Sequence, residues 1–200
     1  MSAALEFDAD AHVYRLGGVV VPSVTTVIRP LQDFGAIPAG VLARKAALGS
    51  AVHLACELDD LGELDEVGTD PVVMGYVAGW RLFLADTGAR VLLNEQRLAH
   101  AGLRFAGTLD RVLVDARGRA GLALLVDLKT SVSMAASFGV QLAGYQLLLE
   151  HAMPALPPLS REGLQLRADG TYHLQPYRNP NDRPCFMGLL AVHHWKESSQ

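Results

Sequence analysis

An α/β fold with a mixed sheet flanked by helices is what the sequence predicts, and three observations predict it. Two long segments before residue 88 carry helical spacing and helix caps. Three segments between Val91 and Thr130 read as the strands of a meander. A further helix, a hairpin and a closing helix follow. Of the 200 residues, 50% are hydrophobic and 19% charged, which supplies a buried core and argues against disorder. One domain over 1–200 is expected: a hairpin and helices over 12–88, a central core over 91–151, and a hairpin and helix over 164–196.

The elements follow in order. Segments 12–16 and 19–21 flank Gly17-Gly18, a pair suited to a two-residue hairpin turn. Pro22-Ser23 stops the second strand, Ser23 can cap a short helix through Ile28, and 30–38 reads as a loop. A helix is expected over 39–61, ended by Gly62. Asp70-Pro71 gives the next helix an N-cap and a first-turn proline, and Gly88 ends it. Along it Val73, Tyr76, Val77, Trp80, Phe83 and Leu84 recur on one face, a stripe that predicts core packing. Strands are expected over 91–97, 105–115 and 122–130, with the turn-rich 116–121 joining the last two. A helix over 134–151 is followed by a break at Pro154, Pro157 and Pro158. Segments 164–167 and 172–176 flank Asp169-Gly170, a second hairpin, and 186–195 is the closing helix.

Composition narrows the function. The net charge is −4 and the pI about 5.9, which weighs against a broad basic surface for nucleic acid. A metal centre that concentrates carboxylates is compatible with that balance, provided that any nucleic acid is held by a local basic groove. Arg104, Arg111, Arg117 and Arg119 either line such a groove or keep a hairpin soluble, solubility being the expectation for Arg117 and Arg119. Cys56 and Cys185 are the only cysteines and lack metal-binding spacing, so free thiols are expected. No apolar run approaches the ~20 residues that span a bilayer. The acidic N-terminal stretch lacks the basic-then-apolar pattern of a secretory signal, so a cytoplasmic protein is expected.

The chemistry concentrates in Gly107-Thr108-Leu109-Asp110 and Asp127-Leu128-Lys129-Thr130. Residues two apart on a strand share a face, so Asp127 and Lys129 project together while Val126 and Leu128 point into the core. A hairpin centred between Gly118 and Arg119 sets Asp110 opposite Asp127. Opposed carboxylates repel, and a divalent cation between them removes that cost. Such an ion activates water and stabilises a leaving oxygen in phosphodiester hydrolysis, with a lysine beside it to orient water or neutralise phosphate. Read alone, Asp-x-Lys also suits a solvated strand face.

Two helices supply further candidates. Gly49, His53 and Glu57 lie i, i+4, i+8 on one face. His53 can ligate a metal, and Glu57 can orient it or hold a water. A helical glycine costs ~1 kcal/mol, so Gly49 suggests a close approach to a backbone or a ligand. Arg44 and Lys45, two turns earlier, can touch a phosphate. Gln141 and Tyr145, i and i+4 on a Leu- and Ala-rich helix, can hydrogen-bond a nucleic-acid backbone or the lysine. Glu95 is a weaker candidate for the acidic cluster. His193-His194, adjacent on a helix and ~100° apart, do not suit one ion. For His53, a buried hydrogen-bonded histidine remains the bland alternative.

Together, Gly49-Ser50-Ala51-Val52-His53, Gly107-Thr108-Leu109-Asp110, Asp127-Leu128-Lys129-Thr130 and Gln141-Leu142-Ala143-Gly144-Tyr145 resemble the RecB-type branch of the PD-(D/E)XK nucleases, and within it the recombination exonucleases similar to that of phage lambda. The early Pro22–Val27 stretch and the end, from Leu166 to Lys196, fit the same family, so the resemblance spans roughly 12–196. It implies a restriction-endonuclease-like core with the His53 helix on one side of the sheet. It implies Mg²⁺ or Mn²⁺, one or two ions, held by Asp110, Asp127 and the Leu128 carbonyl with His53 near or on a metal. Lys129 would serve the attacking water, and Gln141, Tyr145, Ser50 and Thr130 would support the site or the DNA. Asp127 stands where many relatives have Glu. The four cysteines of iron–sulfur relatives are missing, so no such cluster is expected. The implied activity is an exonuclease on duplex DNA ends, 5′→3′, in a bacterial or phage-infected cell, feeding a single-strand annealing protein. Ring-forming homo-oligomers occur among relatives. The alternatives are a structure-selective endonuclease, an RNA nuclease, or an inactive nucleic-acid-binding module on the same core.

Overall fold

The computed structural model describes residues 4–32, 38–114 and 122–199. The turn at 116–121 with Asp115, Arg117 and Arg119, and the middle of the loop at 30–38, lie outside them. A small antiparallel sheet comes first: β1 Leu5–Asp8, β2 Val13–Leu16 and β3 Val19–Val21. Gly17 and Gly18 both take positive φ, 59° and 79°, the requirement of the tight turn between β2 and β3. Ser23 caps α1 Val24–Ile28, its side chain accepting from the Thr26 amide. A 3₁₀ turn, Arg29–Leu31, follows where a loop was expected.

Helices α2 Ala39–Leu61 and α3 Pro71–Thr87 keep their expected bounds, and Asp70 caps α3 through the Val72 amide. The main sheet contains β4 Arg90–His100, β5 Phe105–Val114, β6 Ala123–Lys129, β7 Leu159–Leu166 and β8 Tyr172–Pro176, in that spatial order. Helix α4 Ser137–Ala152 makes the crossover that sets β6 and β7 parallel; the other pairs are antiparallel. The sheet is therefore mixed, and α5 Asp182–Ser198 closes the chain. No helix among the described residues is long and apolar enough to cross a membrane.

Strand β6 is central, and its alternating side chains serve two cores. Ala123 and Leu125 pack with Val24, Leu142, Leu148 and Phe186 on the α1/α4/α5 side. Val126 and Leu128 pack with Val52, Trp80 and Phe83 beneath α2 and α3. The β5–β6 register pairs Arg111 with Val126 and Val112 with Leu125, the alignment expected from a hairpin centred between Gly118 and Arg119.

Several boundaries differ from expectation. β1 was not foreseen, and β4 runs one residue further at its start and three at its end. β7 starts at Leu159 because pairing with β6 carries the polar Ser160-Arg161-Glu162 into the sheet. The Arg161 guanidinium is met there by Asp182 at 3.1 Å and by the Gly139 and Asn179 carbonyls. Helix α4 begins at Ser137 rather than 134. Helix α5 begins at Asp182 because Pro184 sits in its first turn, where a missing N–H costs nothing.

Cys56 and Cys185 are free thiols, Cys56 fully buried. Burial pushes the Cys56 thiol from its ordinary value of 9.0 up to about 12. The folded chain keeps this proton where the unfolded chain releases it, so the contribution is intact below pH 9 and is lost as pH climbs toward 12. The unfolding free-energy difference between the unaltered chain and Cys56→Ala should shrink by roughly 1 kcal/mol from pH 9 to pH 10 in urea titrations. A constant difference would refute a thiol held neutral by burial.

Candidate metal centre

Four elements bring the candidate side chains together: α2 carries His53, β4 Glu95, β5 Asp110 and β6 the Asp127–Lys129 run. His53 is fixed by its Nε2, which donates to the Leu128 carbonyl at 3.1 Å. Nδ1 then faces carboxylates: Asp110 Oδ1 at 3.6 Å and Glu95 Oε1 at 3.7 Å. Asp110 Oδ2 accepts the Leu128 amide at 2.6 Å, which anchors β5 to β6 and leaves the other oxygen for the cluster. One donor atom each from His53, Glu95 and Asp110 lie within 4.8 Å of one another.

The electrostatics follow from this geometry. The Asp110 charge, assisted by Glu95 and opposed by burial, raises the His53 imidazole from 6.5 to about 9. Glu95 has φ 45°, a left-handed conformation that costs a side-chain-bearing residue about 1–3 kcal/mol. Strain of this kind persists where surrounding contacts fix the residue, and Glu95 Oε1 is held at 3.0 Å by Arg111 Nη1.

Asp127 is 2% exposed. Burial raises its carboxyl, Lys129 opposes that, and Asp110 adds to it. Its Oδ2 pairs with the Lys129 ammonium. Lys129 Nζ donates to Gln141 Oε1 at 3.3 Å and stands 4.5 Å from the centre of the Phe138 ring. Gln141 Nε2 in turn donates to the Tyr145 hydroxyl at 3.2 Å. Burial, then the Asp127 and Asp110 charges, holds the Tyr145 hydroxyl well above its ordinary value.

A pocket of about 420 Å³ opens onto His53, Glu95 and Asp110. Gly49, Ser50 and Glu57 of α2 and Tyr145 of α4 are among its lining residues. Asp127, Lys129 and Gln141 stand outside this lining. Arg44 and Lys45 are exposed on α2, also outside it.

Several placements differ from expectation. Glu95, a weaker candidate, belongs to the tight cluster, whereas Asp127 is turned to Lys129. The Leu128 carbonyl, expected on a metal, here accepts from His53. Gly49 does not mark a close backbone approach: a Cβ there would sit at an ordinary 3.7 Å from Thr130 Oγ1. Arg111, read as a groove or solubility residue, is fully buried, while Arg104 is exposed at the β4–β5 turn. His193 and His194 do diverge, toward Glu197 and the Leu103 carbonyl.

Tyr14 and Phe138 went unread as site residues. Tyr14 bridges the small sheet to the pocket, its hydroxyl 2.6 Å from Thr108 Oγ1. No sequence signal marks Phe138 apart from its place three residues before Gln141. For Arg111 a signal existed: it shares a strand face with Leu113, a core position.

No family model matches the sequence, and no curated protein matches it. The chain is similar to the solved crystal structure of SSO0001 at 13% identity, over 73% of either chain, with a TM-score of 0.37. A likeness of that strength carries nothing about function.

Proposed function

We propose that this protein is a divalent-cation-dependent nuclease with a restriction-endonuclease-like core, hydrolysing DNA phosphodiester bonds. The observation that carries the reading is the convergence of His53, Glu95 and Asp110 within 4.8 Å, adjoining the Asp127–Lys129–Gln141–Tyr145 chain. The two carboxylates suit Mg²⁺ or Mn²⁺, and an imidazole nitrogen is accepted more readily by Mn²⁺ than by the harder Mg²⁺. These three residues would hold the ion, and Asp127 completes the acidic environment. A cation bound there supplies the positive charge that makes water nucleophilic and stabilises the departing oxygen.

The chain's own groups do the rest. Lys129 pairs with Asp127 beside the acidic cluster, and Gln141 holds its ammonium in place. Its charge would orient water or offset a phosphate drawn from the pocket toward Asp127. Tyr145 fixes Gln141, and Ser50 and Glu57 face the entering strand. Action on duplex ends in the 5′→3′ direction, and a recombination role with a single-strand annealing partner, rest on the motif resemblance.

End-labelled linear duplex, closed circles and single strands, each incubated with Mg²⁺, Mn²⁺ or EDTA, test the proposal. Metal-dependent loss of linear duplex is expected. Cutting of closed circles would replace the exonuclease by an endonuclease, and inertness toward DNA and RNA with both metals would leave a binding module. Lys129→Ala and Asp127→Asn should each slow cleavage by at least about 100-fold while the far-ultraviolet circular dichroism is retained. Activity within a few-fold of the unaltered chain would remove that residue from the reaction.

A further inference from the structure

Arg111 is the largest charged side chain with no exposure, and nothing in the proposed reaction uses it. Its Nε donates to Asp60 Oδ2 on α2 at 2.7 Å. Its Nη1 donates to Glu95 Oε1 at 3.0 Å and to the Asp110 carbonyl at 2.9 Å. The guanidinium carbon lies 5.7 Å from the Trp80 ring centre, and Trp80 Nε1 donates to Asp60 Oδ1 at 2.8 Å. Asp60 alone would neutralise the buried guanidinium. Glu95 is the more exposed partner, its side chain 22% accessible, so water competes for it. It is nevertheless held, by the same oxygen that faces His53 Nδ1 at 3.7 Å.

We propose that Arg111 is a positioning residue of the metal centre: its fork fixes Glu95 Oε1, and the backbone at Asp110, in the place where the two carboxylates and His53 share one cation. The inference rests on the reading that these three residues hold a divalent ion. A planar guanidinium reaches Asp60, Glu95 and a carbonyl at fixed angles; a lysine ammonium keeps the charge but is a single point and cannot span them. Hydrogen-bonded groups behind ligands set ligand orientation, and losing one typically weakens metal binding about 10–100-fold. The left-handed backbone of Glu95, which this bond holds in place, is the local cost of the arrangement.

The test is Mn²⁺ binding to the full chain without nucleic acid, by calorimetry and by the electron paramagnetic resonance signal of free Mn²⁺, well below each variant's melting temperature. Arg111→Lys and Glu95→Gln are each expected to raise the Kd about 10–100-fold, and the double variant to bind no more weakly than the worse single one, because both remove the same ligand. A folded Arg111→Lys with unaltered Kd would overturn the inference, as would independent multiplication of the two effects. Should Arg111→Lys not fold, Asp60→Asn releases the other end of the fork and keeps the acceptor for Trp80. A several-fold weaker Kd supports the proposal, and an unchanged one overturns it. If the unaltered chain binds no Mn²⁺, the reading of the centre itself fails and the inference with it.

Discussion

Asp110→Asn is expected to leave a folded protein with cleavage reduced by at least about 10³-fold, on the order of 4 kcal/mol of transition-state stabilisation. The expectation comes from the division of labour between the two carboxylate oxygens. Oδ2 accepts the Leu128 amide at 2.6 Å and ties β5 to β6. An asparagine carbonyl accepts that same bond, so the strand junction survives. The other position becomes an uncharged amide where Oδ1 now faces His53 Nδ1 at 3.6 Å. The cluster then loses one of its two carboxylate donors, and the amide nitrogen cannot ligate a cation. Thermal melting and cleavage of end-labelled duplex, measured together, decide the matter: a variant that melts normally and still cuts would exclude Asp110 from the reaction.

Gly75→Ala is expected to be the most damaging conservative change in the fold. A Cβ at position 75 would lie 2.0 Å from the Ala168 carbonyl oxygen and 2.8 Å from its carbon, both backbone atoms of the β7–β8 turn. One helical turn on, a Cβ at Gly79 would lie 2.8 Å from the Thr171 carbonyl oxygen. Helix α3 thus rests on the turn through two glycines on one face. Backbone cannot step aside as a flexible side chain can, so α3 or the hairpin must move and uncover Trp80 and Phe83, which pack there with Leu164 and Leu166. The cost should reach about 3 kcal/mol or more, which lowers the melting temperature by roughly 6–12 °C in a chain of this size. A melting temperature within about 2 °C of the unaltered protein would contradict the contact. Alanine's better helix propensity works in the opposite direction, by only ~1 kcal/mol.

Much of the site was readable in advance because its parts are local. Asp127 and Lys129 share a face through the two-residue repeat of a strand, and Gln141 and Tyr145 meet through the four-residue repeat of a helix. The hairpin register followed from counting inward from Asp110 and Asp127. Glu95 faces Asp110 across the β4–β5 pair, in the register that sets Asn94 against Arg111 and Gln96 against Leu109. Its left-handed φ has no sequence signature. The His53–Leu128 bond joins residues 75 positions apart, beyond the reach of any periodic pattern.

The amino-acid order alone determined the number and kind of most elements, the ends of α2 and α3, and the shared face of Asp127 and Lys129. Caps, turns and side-chain alternation act within a few residues, and the physics that selects them is equally short in range. Only the tertiary structure decided that Arg111 is buried rather than solvated, that polar 160–162 lie within a central strand, and that Glu95 rather than Asp127 completes the tight cluster with His53 and Asp110. Those outcomes depend on which partners the crossover of α4 and the packing of α2 bring within a few ångströms. A buried charge is tolerated only where such distant partners arrive to meet it.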